Sequence, residues 1–144
     1  MIKIMKTLNN ISRAQSVFRA EKLKGVCPTH HSFILAICKN AGKPQEELAK
    51  ELCLNKSTVA RALTQLEEKN LIIRKANKED KRQFLVYPTE ELLAILPKVR
   101  EISKEFNTLI LNGIREEEIA VFYSVLSRIE ATAKQIAIKS EDTQ

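Results

Sequence analysis

The spacing of apolar residues along the chain predicts a protein built mainly of α-helices. Ile4, Leu8, Ile11 and Phe18 recur at heptad-like intervals with basic side chains between them, which is the pattern of an amphipathic helix. Similar stripes recur in five later segments. The six predicted helices cover residues 4–23, 30–41, 44–52, 56–69, 90–110 and 116–139. The polar residues after Lys139 are expected to fray.

Capping residues mark several ends of these helices. Thr29 is expected to cap the second helix, and Gly42 to end it in the left-handed conformation. Pro44 suits the start of the third helix, where its missing N–H costs nothing. Asn55 and Thr89 are expected to cap the fourth and fifth helices, because their side chains can accept a hydrogen bond from the first turn.

Two β-prone runs interrupt the helical pattern. The segments LIIRK (71–75) and QFLVY (83–87) flank the polar connection ANKEDKR, and Pro88 follows the second run. They predict a β-hairpin with an extended charged tip between the fourth and fifth helices. The predicted fold class is therefore mainly α with a small β-hairpin.

Composition narrows the class of protein further. The 144 residues are 44% hydrophobic with only three Gly and four Pro, which favours one helical domain over a β-sandwich or barrel. No apolar run approaches the roughly 20 residues that span a membrane, and the N-terminus lacks the features of a secretory signal. With three Cys and no export signal, we expect a cytoplasmic protein with reduced thiols.

The net charge of +6 is unevenly distributed along the chain. Residues 1–44 contain eight Lys and Arg against one acid, whereas residues 88–144 contain seven against ten. A basic front and an acidic end fit a protein that offers one face to a polyanion such as nucleic acid. The alternative is an ordinary solvated surface.

Residues 47–72 predict a helix-turn-helix. A short helix, a turn and a second helix that buries Val59 and Leu63 form this motif, and Ala49 is small where the two helices must approach. The opposite face of the second helix bears groups that bond to base edges and phosphates in a major groove, and its first two turns contain no acid. The expected DNA contacts on this helix are Asn55, Lys56, Ser57, Thr58, Arg61, Thr64 and Gln65. The alternative is a corner of a helical bundle whose outer face is only solvated.

The predicted hairpin has a basic tip that directly follows this helix. Such a hairpin can reach the flanking phosphates or a minor groove, where a narrow width concentrates negative potential. The candidate contact residues on the hairpin are Arg74, Lys75, Lys78, Asp80, Lys81 and Arg82. A solvated charged loop is the alternative here.

These motifs resemble the MarR family of winged helix-turn-helix transcriptional regulators. The resemblance covers nearly the whole chain, and its most family-specific element is the Asp-x-Arg of Asp80 and Arg82 at this distance after Arg74. It implies that Asp80 pairs with Arg74 to shape the wing and that Arg82 enters the minor groove. The matching segments are ELAKEL (47–52), NKSTVARALTQLEEKNLIIR (55–74), EDKR (79–82) and PTEELLAILPKVREI (88–102).

The resemblance also implies an assembly and a function. It implies one domain over residues 1–144, with a winged helix-turn-helix DNA-binding lobe at 29–89 and dimerisation helices within 1–24 and 90–139. The apolar stripes on the first, fifth and sixth helices suit a homodimer independently. The implied function is repression from a pseudo-palindromic operator in double-stranded DNA, relieved by a small phenolic or lipophilic effector. No cofactor is implied.

Two residues depart from the family pattern. Cys53 stands where members often have Gly in the turn, and Asn70 stands where they usually have Gly after the second helix of the motif. Asn tolerates the left-handed conformation. Cys53 in that conformation would be strained by about 1 kcal/mol, unless the turn differs.

Other chemistries have weaker support in the sequence. A metal site is suggested by Cys27, His30, His31 and Cys38. However, His31 and Cys38 lie two turns apart, roughly 10 Å along a helix, which is too far for both to bind one ion directly. Cys27 precedes a helix start and is the candidate for a redox response. With no glycine-rich phosphate loop or nucleophile elbow, we expect no enzyme. The alternatives are a redox- or metal-responsive regulator using Cys27, and a winged-helix module that binds a protein instead of DNA.

Overall fold

The computed structural model describes residues 3–24 and 30–142, within which the chain forms six α-helices and a three-stranded sheet. The chain divides after Phe106 into two compact units. In chain order the elements are α1 (Ile4–Lys22), α2 (His31–Lys39), β1 (Lys43–Pro44), α3 (Gln45–Leu52), α4 (Lys56–Glu68), β2 (Ile72–Ala76), β3 (Phe84–Pro88), α5 (Glu90–Ile110) and α6 (Glu116–Asp142).

All six predicted helices are present, and the differences lie at their ends. His30 occupies the N-cap position of α2, and Thr29, predicted to cap it, lies outside the described residues. Gly42 is left-handed with φ 84°, but α2 already ends at Lys39, so this glycine turns the chain into β1 instead of capping the helix. α6 continues to Asp142, three residues beyond its predicted end at Lys139.

The sheet contains one more strand than the sequence predicts. The hairpin of β2 and β3 is present, each strand displaced by one residue from the predicted run. The short β1 pairs antiparallel with β3, opposite Val86 and Leu85, and gives the order β1-β3-β2. Pro44 is therefore both the last residue of β1 and the N-cap of α3. The sequence did not predict β1, because a strand of two residues is too short to show alternating apolar and polar positions.

The core of the first unit is formed by apolar faces of α2 to α5 and of the sheet. Val59 and Leu63 are fully buried, as the stripe on α4 predicts, and Ala49 is buried where α3 meets α4. Burial of each large aliphatic side chain contributes about 1.5–3 kcal/mol. Other fully buried residues are Ile34, Ile37, Leu48, Leu66, Ile72, Val86, Leu92 and Val99.

The second unit presents apolar residues to solvent. It contains the end of α5, a turn at Gly113 and the 27-residue α6. None of the side chains of residues 116–140 is buried. Its exposed large apolar residues on α6 are Val121, Phe122, Tyr123, Val125, Ile129, Ile136 and Ile138. Within the described residues, no helix has a stretch long and apolar enough to cross a membrane.

Candidate nucleic-acid interface

The turn between α3 and α4 contains a cysteine in a left-handed conformation. Cys53 has φ 53° and ψ 42°, and its neighbour Leu54 donates a backbone hydrogen bond to the carbonyl of Ala49 at 3.0 Å. A β-carbon in this conformation costs about 1–2 kcal/mol. The expected strain at Cys53 is therefore present. Asn70 has φ 57° and tolerates the same conformation after α4.

Asn55 fixes the start of α4. Its Oδ1 accepts the backbone N–H of Thr58 at 2.8 Å, which confirms the predicted cap, and also the hydroxyl of Ser57 at 2.9 Å. The Ser57 hydroxyl has a single proton to donate, and Asn55 receives it. Ser57 consequently presents only its lone pairs outward, and it can accept but not donate at a base edge.

The outer face of α4 divides into free and engaged side chains. Arg61 and Lys56 are exposed and have no ion pair or hydrogen bond within the described part of the chain. Thr64 is exposed but donates its hydroxyl to the carbonyl of Ala60 at 2.9 Å. Gln65, also exposed, forms a side-chain hydrogen bond with His30. Only part of the predicted reading face is therefore available to a ligand without rearrangement.

The tip of the hairpin is ordered by its own polar side chains. The Oδ1 of Asn77 accepts the N–H of Glu79 at 3.1 Å, and the Oδ1 of Asp80 accepts the N–H of Arg82 at 3.1 Å. The backbone also closes on itself, with the N–H of Gln83 donating to the carbonyl of Asp80 at 3.0 Å. Side chains that bond to the backbone two residues on are typical of tight turns. The exposed tip residues are Lys78, Glu79, Asp80, Lys81 and Arg82.

The pairing of Asp80 with Arg74, implied by the family resemblance, is not the arrangement found. Arg74 instead pairs with Glu67 on α4, with its Nη2 3.0 Å from Oε1 and its Nε 3.3 Å from Oε2. The reason is geometric: Arg74 lies in the middle of β2 opposite Val86, whereas Asp80 lies at the tip. The hydrogen bonds from Arg74 lower the pKa of the Glu67 carboxyl.

Lys75 follows Arg74 and has a different environment. Its ammonium lies 5.2 Å from the centre of the Tyr87 ring, which is within the range of a cation–π contact. Because successive strand residues alternate between faces, Lys75 and Arg74 lie on opposite faces of β2. The two predicted contact residues therefore cannot reach the same groove side by side.

A polar cluster lies in the first unit apart from α4 and the hairpin. The Nε2 of His31 on α2 lies 2.6 Å from the Oγ of Ser103 on α5. Burial and the nearby guanidinium of Arg19 lower the pKa of His31. The Nε of Arg19 is itself buried and has no hydrogen-bond partner among residues 3–24 and 30–142. A buried N–H without a partner favours binding of an acceptor.

The structure describes two free cysteines, the half-buried Cys38 and the exposed Cys53. Cys27, the candidate for a redox response, lies outside them. Burial raises the pKa of the Cys38 thiol, which keeps it protonated and unreactive. No group of three potential metal ligands occurs within residues 3–24 and 30–142. His31 bonds to Ser103 and not to another ligand of that kind.

The sequence reasoning missed Glu67 and Ser103. Glu67 lies seven residues before Arg74, and the turn between α4 and β2 brings the two together. A helix residue and a strand residue of opposite charge on either side of a short turn are a usable signal. Ser103 is 72 residues from His31, and no local pattern connects them.

Together, α3 and α4 with their tight turn, followed by the β2–β3 hairpin, define a winged helix-turn-helix domain. Residues 29–84 match the model of the MarR family. The chain is 25% identical over 131 residues to the HTH-type transcriptional regulator YybA of Bacillus subtilis (strain 168), covering 90% of this chain and 87% of that protein.

Two solved structures from Listeria monocytogenes are similar over almost the whole length. A SlyA-like transcription regulator matches with a TM-score of 0.92 and 27% identity, covering 99% of this chain and 96% of that chain. A MarR-family transcriptional regulator complexed with a 26-mer DNA matches with a TM-score of 0.88, at the same identity and coverage. The match to the MarR family model thus covers the winged helix-turn-helix segment, and the chain as a whole is similar to a solved MarR-family transcriptional regulator.

Proposed function

We propose that the protein is a homodimeric repressor that binds a pseudo-palindromic operator in double-stranded DNA. In this proposal α4 of each subunit enters a major groove, and the β2–β3 wing lies over the flanking backbone and minor groove. Residues 29–89 are the DNA-binding lobe, and the helices within 1–24 and 90–139 form the dimer. The relative that is complexed with a 26-mer DNA supports duplex DNA as the ligand.

The observation that carries this proposal is a set of cations without partners on one helix and one hairpin tip. Lys and Arg side chains that are buried or paired stabilise the protein itself, whereas exposed and unpaired ones are available to bind phosphate. The tip also contains Glu79 and Asp80, and the backbone near both is held by local hydrogen bonds. On α4 and the hairpin tip, the exposed cations that have no ion pair or side-chain hydrogen bond among the described residues are Lys56, Arg61, Lys78, Lys81 and Arg82.

The division of roles follows from position. Arg61 lies in the second turn of α4, whose 13 residues are about 20 Å long at 1.5 Å per residue, enough to lie along a major groove. A guanidinium there can bond in bidentate fashion to guanine. Arg82 at the tip is placed for phosphate or a minor groove, where it adds affinity with little base discrimination. Asn55, Ser57 and Thr58 position the start of α4 beside the backbone.

The proposed dimer covers the apolar face of α6. Most helical stability in proteins comes from packing of an apolar face, and the 27-residue α6 has no buried side chain among residues 116–140. Val125, Ile129 and Ile136 are exposed and lie along one side of this helix. The same face on a second copy, related by two-fold symmetry, is its natural complement. Ile4 and Ile11, seven residues apart and therefore on one side of α1, are further exposed apolar residues.

The proposed effector is a small phenolic or lipophilic acid held near Arg19. The Nε of Arg19, which has no partner among the described residues, offers a donor to a carboxylate or phenol, whereas the hydroxyl proton of Ser103 is already donated to the carbonyl of Val99. The rings of Phe18 and Phe106 lie in tilted contact, with centres 5.5 Å apart and planes at 52°, and offer an apolar surface. In this proposal the effector relieves repression by favouring a dimer whose two α4 helices no longer match successive grooves.

The decisive experiment is titration of the purified protein with duplex DNA at several salt concentrations. A genomic duplex library selected by binding is expected to yield a pseudo-palindrome whose half-site centres are about 34 Å apart. Binding should weaken steeply with salt, because each phosphate contact releases counterions. Light scattering should give the dimer mass at micromolar concentration. A monomer mass, a flat salt dependence or a preference for single strands would overturn the proposal.

The effector is tested by thermal shift with a panel of aromatic acids. A bound acid is expected to raise the melting temperature and to weaken operator binding at the same concentration. Arg19→Gln should abolish both effects. Arg13→Gln, which changes an exposed arginine on the same helix, is the matched control and should retain them. Equal responses from the two variants would place the effector elsewhere.

A further inference from the structure

Arg74 connects the hairpin to α4 through two side chains of that helix. Its Nη2 and Nε donate to the two carboxylate oxygens of Glu67 at 3.0 and 3.3 Å, and Nη2 also lies 3.3 Å from the hydroxyl oxygen of Thr64. The Arg74 side chain is only 20% exposed, so water competes weakly for it. Glu67 and Thr64 lie three residues apart, and therefore on the same face of α4.

This contact restrains orientation as well as distance. Two N–H groups of a planar guanidinium on two oxygens of one carboxylate fix the plane of both groups. Lysine, with its charge at one rotatable point, cannot reproduce that restraint. The hydroxyl proton of Thr64 is donated to the carbonyl of Ala60 at 2.9 Å, so its lone pair is free to accept from Arg74. All three side chains are thus occupied by one another or by the backbone of α4.

We propose that Arg74 is a positioning residue that fixes the angle between the wing and α4, with Glu67 and Thr64 as its acceptors. This inference rests on the proposed function. It assigns Arg74 and Thr64 to the geometry of the interface and not to contacts with DNA. The separation of Arg61 on α4 from Arg82 on the wing then depends on this contact, so one subunit engages a major groove and the adjoining backbone together.

Removal of the Glu67 charge distinguishes positioning from direct contact, because the two roles predict changes of opposite sign. If Arg74 bound phosphate, Glu67 would be a competitor, and Glu67→Gln would release Arg74 and tighten DNA binding. Simple electrostatics predicts the same sign, since a negative charge is removed from a helix beside a polyanion. If Arg74 positions the wing, Glu67→Gln weakens operator binding despite that favourable charge change.

The experiment compares Glu67→Gln with Glu68→Gln in the full-length protein. Glu68 is the adjacent acid on α4, is exposed and has no ion pair among the described residues. We expect Glu68→Gln to bind the operator as tightly as the unaltered protein or slightly tighter. We expect Glu67→Gln to bind it about tenfold more weakly, with a reduced preference for operator over scrambled duplex. Equal behaviour of the two variants would overturn the proposal.

Arg74→Lys and Arg74→Gln supply a second readout. Both should lose operator preference, and both should keep the salt slope of the unaltered protein, because no phosphate contact is removed. A salt slope reduced by about one unit in Arg74→Gln and retained in Arg74→Lys would show a phosphate contact and overturn the proposal.

Hydrogen exchange in the absence of DNA separates failure of this inference from failure of the proposed function. Glu67→Gln should speed hydrogen exchange at the backbone N–H groups of Asn77 and Gln83 in the hairpin, whereas Glu68→Gln should not. If the unaltered protein binds no duplex DNA, the proposed function fails, and the exchange result still decides whether the contact orders the wing. Unchanged exchange in Glu67→Gln would overturn the positioning role directly.

Discussion

The phenol of Tyr87 lies directly against Gly42. A β-carbon added to Gly42 would be 3.0 Å from the Tyr87 hydroxyl oxygen and 3.1 Å from two of its ring carbons. The N–H of Gly42 also donates to the carbonyl of Val86 at 2.8 Å, which holds the chain against β3. With φ at +84°, this position combines a left-handed backbone with a close approach.

Gly42→Ala is therefore expected to destabilise the protein by about 2–4 kcal/mol, because the strain of a left-handed alanine adds to displacement of Tyr87. Gly113→Ala is the matched control. Gly113 has φ +83°, but nothing lies within 4 Å of its added β-carbon, so only the backbone cost of about 1–2 kcal/mol applies. Urea unfolding of both variants measures the difference. Equal costs would mean that Tyr87 moves aside freely.

Asn55→Ala should cost about 1 kcal/mol of stability, because the N–H of Thr58 loses its acceptor at the start of α4. Ser57→Ala removes the hydroxyl that donates to Asn55 but leaves the cap itself, and should cost much less. Urea midpoints of the two variants test the expectation. Should Ser57→Ala prove as costly as Asn55→Ala, the cap contributes less than its geometry implies.

Arg61→Ala and Arg82→Ala are expected to weaken DNA binding in different ways. If Arg61 makes a bidentate contact to guanine, Arg61→Ala should reduce the difference in binding free energy between operator and scrambled duplexes by about 1–3 kcal/mol. Arg82→Ala should weaken operator and scrambled duplexes together and reduce the salt slope by about one unit. Titration of both duplexes at several salt concentrations measures these quantities. If Arg82→Ala changes neither affinity nor slope, the wing does not touch DNA.

Asp80→Ala should resemble Arg82→Ala only in part. It removes the acceptor of the Arg82 N–H and loosens the tip, but it leaves the Arg82 side chain in place. We expect a smaller loss of affinity with the salt slope unchanged, since no cation is removed. The same titrations test this. A salt slope as low as that of Arg82→Ala would show that Asp80 keeps Arg82 on the DNA.

His31 should make stability depend on pH. Burial and the charge of Arg19 lower the pKa of His31 in the folded protein below its unfolded value of about 6.5. Well above pH 6.5, His31 is neutral in both the folded and the unfolded chain, and it does not reduce the free energy of unfolding. As the pH falls below 6.5, the unfolded chain binds the proton first and stability is lost. His31→Gln should flatten this loss between pH 7.5 and 5.5, measured by urea unfolding. An unchanged pH profile in His31→Gln would assign the dependence to other groups.

Short-range sequence patterns, such as apolar spacing and capping residues, predicted much of the fold. They could not predict side-chain contacts between residues far apart in the chain. The cap of α4 by Asn55 and that of α5 by Thr89, whose Oγ1 accepts the N–H of Leu92 at 3.3 Å, follow from residues three apart. The partner of Arg74 depends on how β2 packs beside α4. The family resemblance implied Asp80 as that partner, whereas the structure has Glu67. The bond between His31 and Ser103 joins two helices that no sequence pattern connects.

The exposed apolar surface of α6 has a consequence for genetics. If two copies share that surface, a subunit with an intact α6 and a defective wing still captures a normal subunit. The mixed pair then offers one intact DNA-binding lobe to the proposed operator, which has two half-sites. Substitutions at Arg82 or Arg61 should therefore be dominant when both forms are expressed together, whereas polar substitutions at Ile129 or Ile136 should be recessive, because the altered chains no longer pair.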